Sequence, residues 1–209
     1  MIRLKICGLI RSEDACISAE AGADAIGMIF YEGSPRAVTT EQARSIVHDL
    51  PPYVARVGVF VNEDQDAVRR IADDVQLDVL QFHGDESPEY CAAFDRRTVK
   101  VFRVKDALPF DEMRRYTVDA WQLDTKADSV YGGTGETFDW SIVQQAKTLG
   151  PVVLSGGVTE ENMREALLTV QPYAVDLSSG VESAPGIKDR QKILAVSRII
   201  QTCNAELLS

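Results

Sequence analysis

Eight short, β-rich apolar runs, each followed by a helical pattern, predict an α/β fold: one (β/α)8 TIM barrel spanning residues 1–209. Strict alternation of this kind requires a parallel sheet with right-handed crossovers. The runner-up is an open, doubly wound sheet. Against it, no G-x-G-x-x-G follows the first run, and G-x-x-x-x-G-K-S/T is absent from the chain. The 209 residues suffice for one domain with a large core and lie near the short end of the range for this barrel.

The strands are expected at 2–7 (IRLKIC), 24–30 (DAIGMIF), 54–61 (VARVGVFV), 78–82 (DVLQF), 98–104 (TVKVFRV), 119–124 (DAWQLD), 151–155 (PVVLS) and 173–178 (YAVDLS). Each is rich in β-branched or aromatic residues. Helices are expected at 12–21, 40–49, 64–73, 87–94, 109–115, 139–148, 159–169 and 189–202. Three carry cap signals. Ser12 precedes Glu13 and Asp14, Thr39 precedes Thr40 and Glu41, and Thr159 precedes Glu160 and Glu161.

Composition removes several functions. The net charge is −10 with no basic run, which disfavours nucleic acid as a partner. No apolar stretch approaches the roughly 18 residues that a membrane helix needs. "MIRLKI" has no apolar signal region after its charge, so a cytoplasmic location is expected. Cys7, Cys16, Cys91 and Cys203 show no C-x-x-C spacing, and His48 and His83 are the only histidines, which argues against a structural or histidine-rich metal site. A small anionic ligand remains compatible, held by backbone N–H groups, helix N-termini and one or two arginines.

In such a barrel the chemistry sits where strands end and βα loops begin. Strand 1 ends in Cys7-Gly8, which reads more commonly as a small buried hydrophobe than as a reagent. Arg36 follows Ser34-Pro35, and either clamps a carboxylate or forms a surface ion pair. His83 follows strand 4 as a rim residue or a ligand contact, and Asp124 ends strand 6 as a cap or a site acid. The glycine-rich loop 125–137 is a binding loop or a surface connection. After strands 7 and 8 come "SGG" (155–157) and "SSG" (178–180). Paired in these loops, they point to a phosphate site.

These residues also carry a resemblance. "KICGL" (5–9), "SPRAV" (34–38), "QFHGDE" (81–86), "LDT" (123–125), "GGTGETFDW" (132–140), "LSGGVTEENM" (154–163) and "VDLSSGVESAPGIKD" (175–189) are together similar to the phosphoribosylanthranilate isomerase family of tryptophan biosynthesis. The resemblance implies a (β/α)8 barrel and an Amadori rearrangement of N-(5-phosphoribosyl)anthranilate, with no metal or organic cofactor. It implies Cys7 as general base and Asp124 as general acid. It places Arg36 on the anthranilate carboxylate, Asp176 on the sugar or amine, and His83 along the pocket. Gly156, Gly157, Ser179 and Gly180 become phosphate donors. The partner is then a small phosphosugar–anthranilate substrate, for a monomer or homodimer. Phe82 departs from a commoner leucine, and Thr159-Glu160 from a proline-containing helix start.

Two other readings weigh less. The related isomerase of histidine biosynthesis relies on paired aspartates, one at the place Cys7 holds here. A redox-sensing barrel would need an exposed, low-pKa thiol at Cys7 and has no use for Asp124.

Overall fold

The computed structural model describes residues 1–104, 107–124 and 141–208. Eight parallel strands close into a barrel in chain order: β1 (Arg3–Cys7), β2 (Ala25–Ile29), β3 (Ala55–Phe60), β4 (Val79–Phe82), β5 (Arg97–Arg103), β6 (Ala120–Asp124), β7 (Val152–Ser155) and β8 (Ala174–Leu177). Closure is made by β8 pairing with β1, which sets Lys5 beside Asp176. The intervening helices are α1 (Ser12–Glu20), α2 (Thr40–His48), α3 (Gln65–Val75), α4 (Pro88–Cys91), α5 (Phe110–Met113), α6 (Ser141–Gln144), α7 (Glu160–Val170) and α8 (Arg190–Leu208).

Alternation along each strand separates two environments. Ile6, Ile26, Phe60, Leu80, Leu123 and Leu154 are fully buried and belong to the large core between barrel and helices. On the barrel's inside, a small apolar layer is formed by Ala120, Val153 and Ala174, with Val99 packed on it. Polar side chains then appear two residues further along several strands.

Local chemistry explains the helix starts. Thr39 caps α2 in a reciprocal box with Gln42. Asp64 caps α3 by accepting from the N–H groups of Asp66 and Ala67. At Thr159 the backbone N–H donates to Asn162 Oδ1 at 2.7 Å. Ser12 differs from expectation: Arg11 is the cap residue of α1, and the Ser12 hydroxyl donates to the carbonyl of Ser45 instead.

The strands agree with expectation within a residue at each end. The fourth and fifth helices shrink to four residues each. The sixth, whose expected residues 139–140 lie outside the described residues, is a helix over Ser141–Gln144 followed by a 3-10 helix, Gln145–Thr148, while α8 runs on to Leu208. An unexpected hairpin, β9 (Glu182–Ala184) with β10 (Ile187–Lys188), stands between β8 and α8. Phe82 is fully buried and packs against Tyr90 and Phe94 with ring centroids 5.3 and 5.2 Å away. Among the described residues no helix is long and apolar enough to cross a membrane.

One buried ion pair pins two loops to the barrel's outer face. Lys100 Nζ donates to Glu86 Oε2 at 2.9 Å and to the Gly84 carbonyl at 2.7 Å. Glu86 in turn accepts from the N–H groups of Asn62 and Gly84. Removing one partner strands the other charge in the core. Lys100→Met is therefore expected to lower unfolding free energy by about 3–5 kcal/mol, read from urea denaturation midpoints.

Candidate active site

The C-terminal mouth of the barrel gathers the candidate groups. Cys7 ends β1 and Asp124 ends β6, in line with the inward-facing Lys5 and Gln122 two residues before each. The two elements lie across the ring from each other, with β7 and β8 between them on one side. Cys7 is only 6% exposed, whereas the Asp124 side chain is 23% exposed. His83 follows β4 and sets Nε2 3.6 Å from Asp124 Oδ2, an electrostatic contact beyond hydrogen-bond length.

Below this rim the barrel is crossed by a polar network. Lys5 Nζ donates to Asp176 Oδ2 at 2.8 Å. Gln122 Nε2 donates to the same oxygen at 2.9 Å and to Ser155 Oγ at 3.0 Å. The Ser155 hydroxyl donates in turn to the Leu123 carbonyl at 3.1 Å. The other oxygen of Asp176, Oδ1, is buried and has no hydrogen-bond partner.

A second network holds Arg36. Its Nε and Nη2 donate to the two carboxylate oxygens of Glu182 at 2.8 and 2.6 Å. Glu182 also accepts from Lys188 Nζ at 2.8 Å and from the Gly186 N–H. Arg36 is thus neither a surface pair nor a bare clamp. It is a half-buried guanidinium oriented bidentately, with its Nη1 side turned away from Glu182.

The electrostatics follow from burial and partners. Burial pushes the Cys7 thiol above its ordinary range; Lys5 pulls it back, Asp176 raises it and Lys188 lowers it. Burial pushes Cys91 up to about 12, with Lys100 pulling against it. Burial pulls Lys5 down, yet Asp176 and Cys7 outweigh it and its pKa is raised. Burial pushes Glu182 up, but hydrogen bonds from Arg36 and Lys188 prevail and its carboxyl sits below the usual value. Its partners diverge: Arg36 is raised through Glu182, while for Lys188 the cost of burial wins and its pKa is lowered.

The loops after β7 and β8 adjoin. Gly156 and Gly157 adopt left-handed φ of 66° and 53°, which glycine alone reaches without strain. Asn162 holds that turn by donating to the Gly157 carbonyl at 2.8 Å. Ser179 and Gly180 lie in the 3-10 turn Ser179–Val181. An added Cβ at Gly180 would lie 3.8 Å from the Val158 carbonyl, so the two loops are within touching distance. Among the described residues no three His, Cys, Asp or Glu side chains gather as a metal-ligand set.

All nine candidate residues are therefore at or just inside one mouth. The expected loop 125–137 and the motif 132–140 lie outside the described residues. Lys5, Gln122, Glu182 and Lys188 were not singled out from the sequence. Lys5 and Gln122 had a signal: each is a polar residue inside an apolar strand, two places before a candidate. Glu182 and Lys188 had none, because the hairpin that brings them to Arg36 is a matter of tertiary structure.

A closed (β/α)8 barrel with a thiol, carboxyls and a glycine-rich double loop at one mouth defines a barrel enzyme of the acid–base type. Comparison with known proteins narrows the class. The model of the family "N-(5'phosphoribosyl)anthranilate (PRA) isomerase" matches residues 4–198, and the chain belongs to this family. An N-(5'-phosphoribosyl)anthranilate isomerase of Geobacter sulfurreducens is 52% identical over 193 residues, covering 92% of this chain and 95% of that protein. The crystal structure of the Thermotoga maritima phosphoribosyl anthranilate isomerase superposes with a TM-score of 0.85 at 42% identity, covering 98% of this chain and all of that one. A second isomerase structure, in complex with reduced 1-(o-carboxyphenylamino)-1-deoxyribulose 5-phosphate, gives 0.83 at 39% identity, covering 97% of this chain and 100% of the other.

The Glu182 network has a measurable consequence. A carboxyl held below its ordinary value of 4.5 contributes stability above that pH and loses it as pH falls through the lower folded value. On acidification below pH 4.5 the denaturation midpoint of the unmodified chain is expected to fall more steeply than that of Glu182→Gln.

Proposed function

We propose that the family's Amadori rearrangement is carried out in this chain by Cys7 as general base and Asp124 as general acid. The observation that carries this reading is the placement of those two groups. They end β1 and β6, on the inward side of one mouth, across a space closed below by the Lys5–Asp176–Gln122 network.

The chemistry runs as two positioned proton transfers. The Asp124 carboxyl gives a proton to the furanose ring oxygen, the C1–O bond breaks, and the nitrogen lone pair forms the C1=N iminium. The Cys7 thiolate then removes the proton from C2. The electrons of that bond become C1=C2, and the iminium nitrogen is neutralised. The enolamine gains a proton at C1 and loses one from the 2-hydroxyl, leaving the ketone. The iminium acidifies the C2 proton, so a thiolate is base enough.

The remaining roles are assigned by what each group offers. Arg36, held by Glu182 through Nε and Nη2, presents its Nη1 side to the anthranilate carboxylate. Asp176 Oδ1, buried and unpartnered in the protein, accepts from a sugar hydroxyl or the substrate amine. His83 lines the pocket beside Asp124. Gly156, Gly157, Ser179 and Gly180 receive the 5-phosphate where the two loops adjoin. The four free cysteines suit a reducing compartment such as the cytoplasm.

Turnover of freshly generated phosphoribosylanthranilate, followed by its fluorescence, tests the reading as a whole. Cys7→Ser and Asp124→Asn are each expected to lower kcat by roughly 10²–10⁴-fold while product-analogue binding persists. Near-normal turnover in either variant removes that residue from the mechanism. Arg36→Ala is expected to raise KM by roughly ten- to a hundredfold, with a smaller change in kcat. An unchanged KM would place the carboxylate elsewhere.

A further inference from the structure

We propose that Lys5 is a positioning residue for the base: its ammonium fixes the Cys7 sulfur and stabilises it as a thiolate, in a space that the missing side chain of Gly27 leaves open. This rests on the reading of Cys7 as the base.

Lys5 and Cys7 are two residues apart on β1 and so share the inward face of the strand. A lysine inside a barrel is costly unless it is paired. Here the ammonium is anchored by Asp176 at 2.8 Å, and the same carboxylate oxygen is fixed from across the barrel by Gln122 at 2.9 Å. The cation is thus held by groups from β8 and β6, on the same inward face of β1 as the Cys7 sulfur, whose ionised form its charge favours.

Gly27 on β2 lies in register with Cys7. A Cβ at this position would come 2.7 Å from Cys7 Sγ and 3.1 Å from Lys5 Nζ. Both atoms border the volume that the glycine leaves empty. Any larger residue there would drive into the sulfur, against the ammonium beside it.

Four charged groups face the sulfur: Lys5 from its own strand, Asp176 from β8, Lys188 from β10 and Arg36 from the loop after β2. Three are cations. Arg36 is taken up bidentately by Glu182, and Lys188 is shared between Glu182 and the Ser178 carbonyl. Lys5 is the cation on the sulfur's own strand, bordering the same Gly27 space, with Asp176 as its carboxylate partner. When Cys7 ionises, Lys5 stands between two anions. Without it, the thiolate would share a buried site with the Asp176 carboxylate.

The test titrates the Cys7 thiol directly, by ultraviolet absorbance of the thiolate as a difference against Cys7→Ser, and compares it with the acidic limb of kcat/KM. Lys5→Met is expected to raise the midpoint of both by about 1 unit or more. Lys5→Arg, which keeps the charge, is expected to recover most of that shift. Gly27→Ala leaves both charges in place and is expected to raise the midpoint as well, with an unchanged far-UV circular dichroism spectrum. It also serves if Lys5→Met does not fold. A folded Lys5→Met, or failing that a folded Gly27→Ala, with an unmoved Cys7 midpoint overturns the proposal. Full turnover by Cys7→Ser would instead remove the base reading on which the role depends, whatever the titration shows.

Discussion

The barrel is organised around one buried ion pair, Lys5 with Asp176. It joins the first strand to the last at the seam where the sheet closes. Taking two charges out of water is costly, and a lone pair in a core repays that cost only with good geometry and further hydrogen bonds. Gln122 supplies one of those bonds, and Ser155 satisfies the rest of the Gln122 amide donor. Four strands of the eight thereby meet in one polar layer. That layer is the floor on which the reactive mouth is built, and Asp176 Oδ1 is the acceptor it leaves unused.

Two residues further along the strands, the same alternation lifts Cys7, His83 and Asp124 to the rim. The second network, Glu182 with Arg36 and Lys188, binds the loop after β2 to the hairpin after β8. It borders the β1 end from both sides. The rigid lower network and the rim network divide the work: one secures the closure of the sheet, the other holds an arginine in a fixed orientation. Preorganisation of this kind places charges before a ligand arrives, so their reorganisation adds little to a barrier.

Much of this was legible in the sequence, for physical reasons. Strands such as IRLKIC and VARVGVFV combine β-branched content with short length, and Thr39 and Thr159 carry cap chemistry that tertiary contacts do not override. The strand ends were therefore readable, and with them Cys7, His83 and Asp124, whereas Asp176 came from the family resemblance. Short helices were not. Proline at the start of α4 says where that helix starts, but only packing decides that α4 and α5 each end after four residues. Ser12 looked like a cap because composition does not reveal which backbone N–H is left without a partner. Glu182 was invisible for a different reason: its partner Arg36 is 146 positions away, and no local pattern encodes that distance.

The Lys5–Asp176 pair spans 171 positions of chain. During synthesis at about 5–20 residues per second, the lysine emerges and then stays without its counter-ion for roughly 10–35 s. Through that interval the strand that closes the sheet and pairs the lysine has yet to be made. The last strand brings both the missing edge and the missing charge in one event. A ribosome-bound chain that stops short of β8 therefore has no floor beneath its cysteine, and only the arrival of that strand closes the vessel.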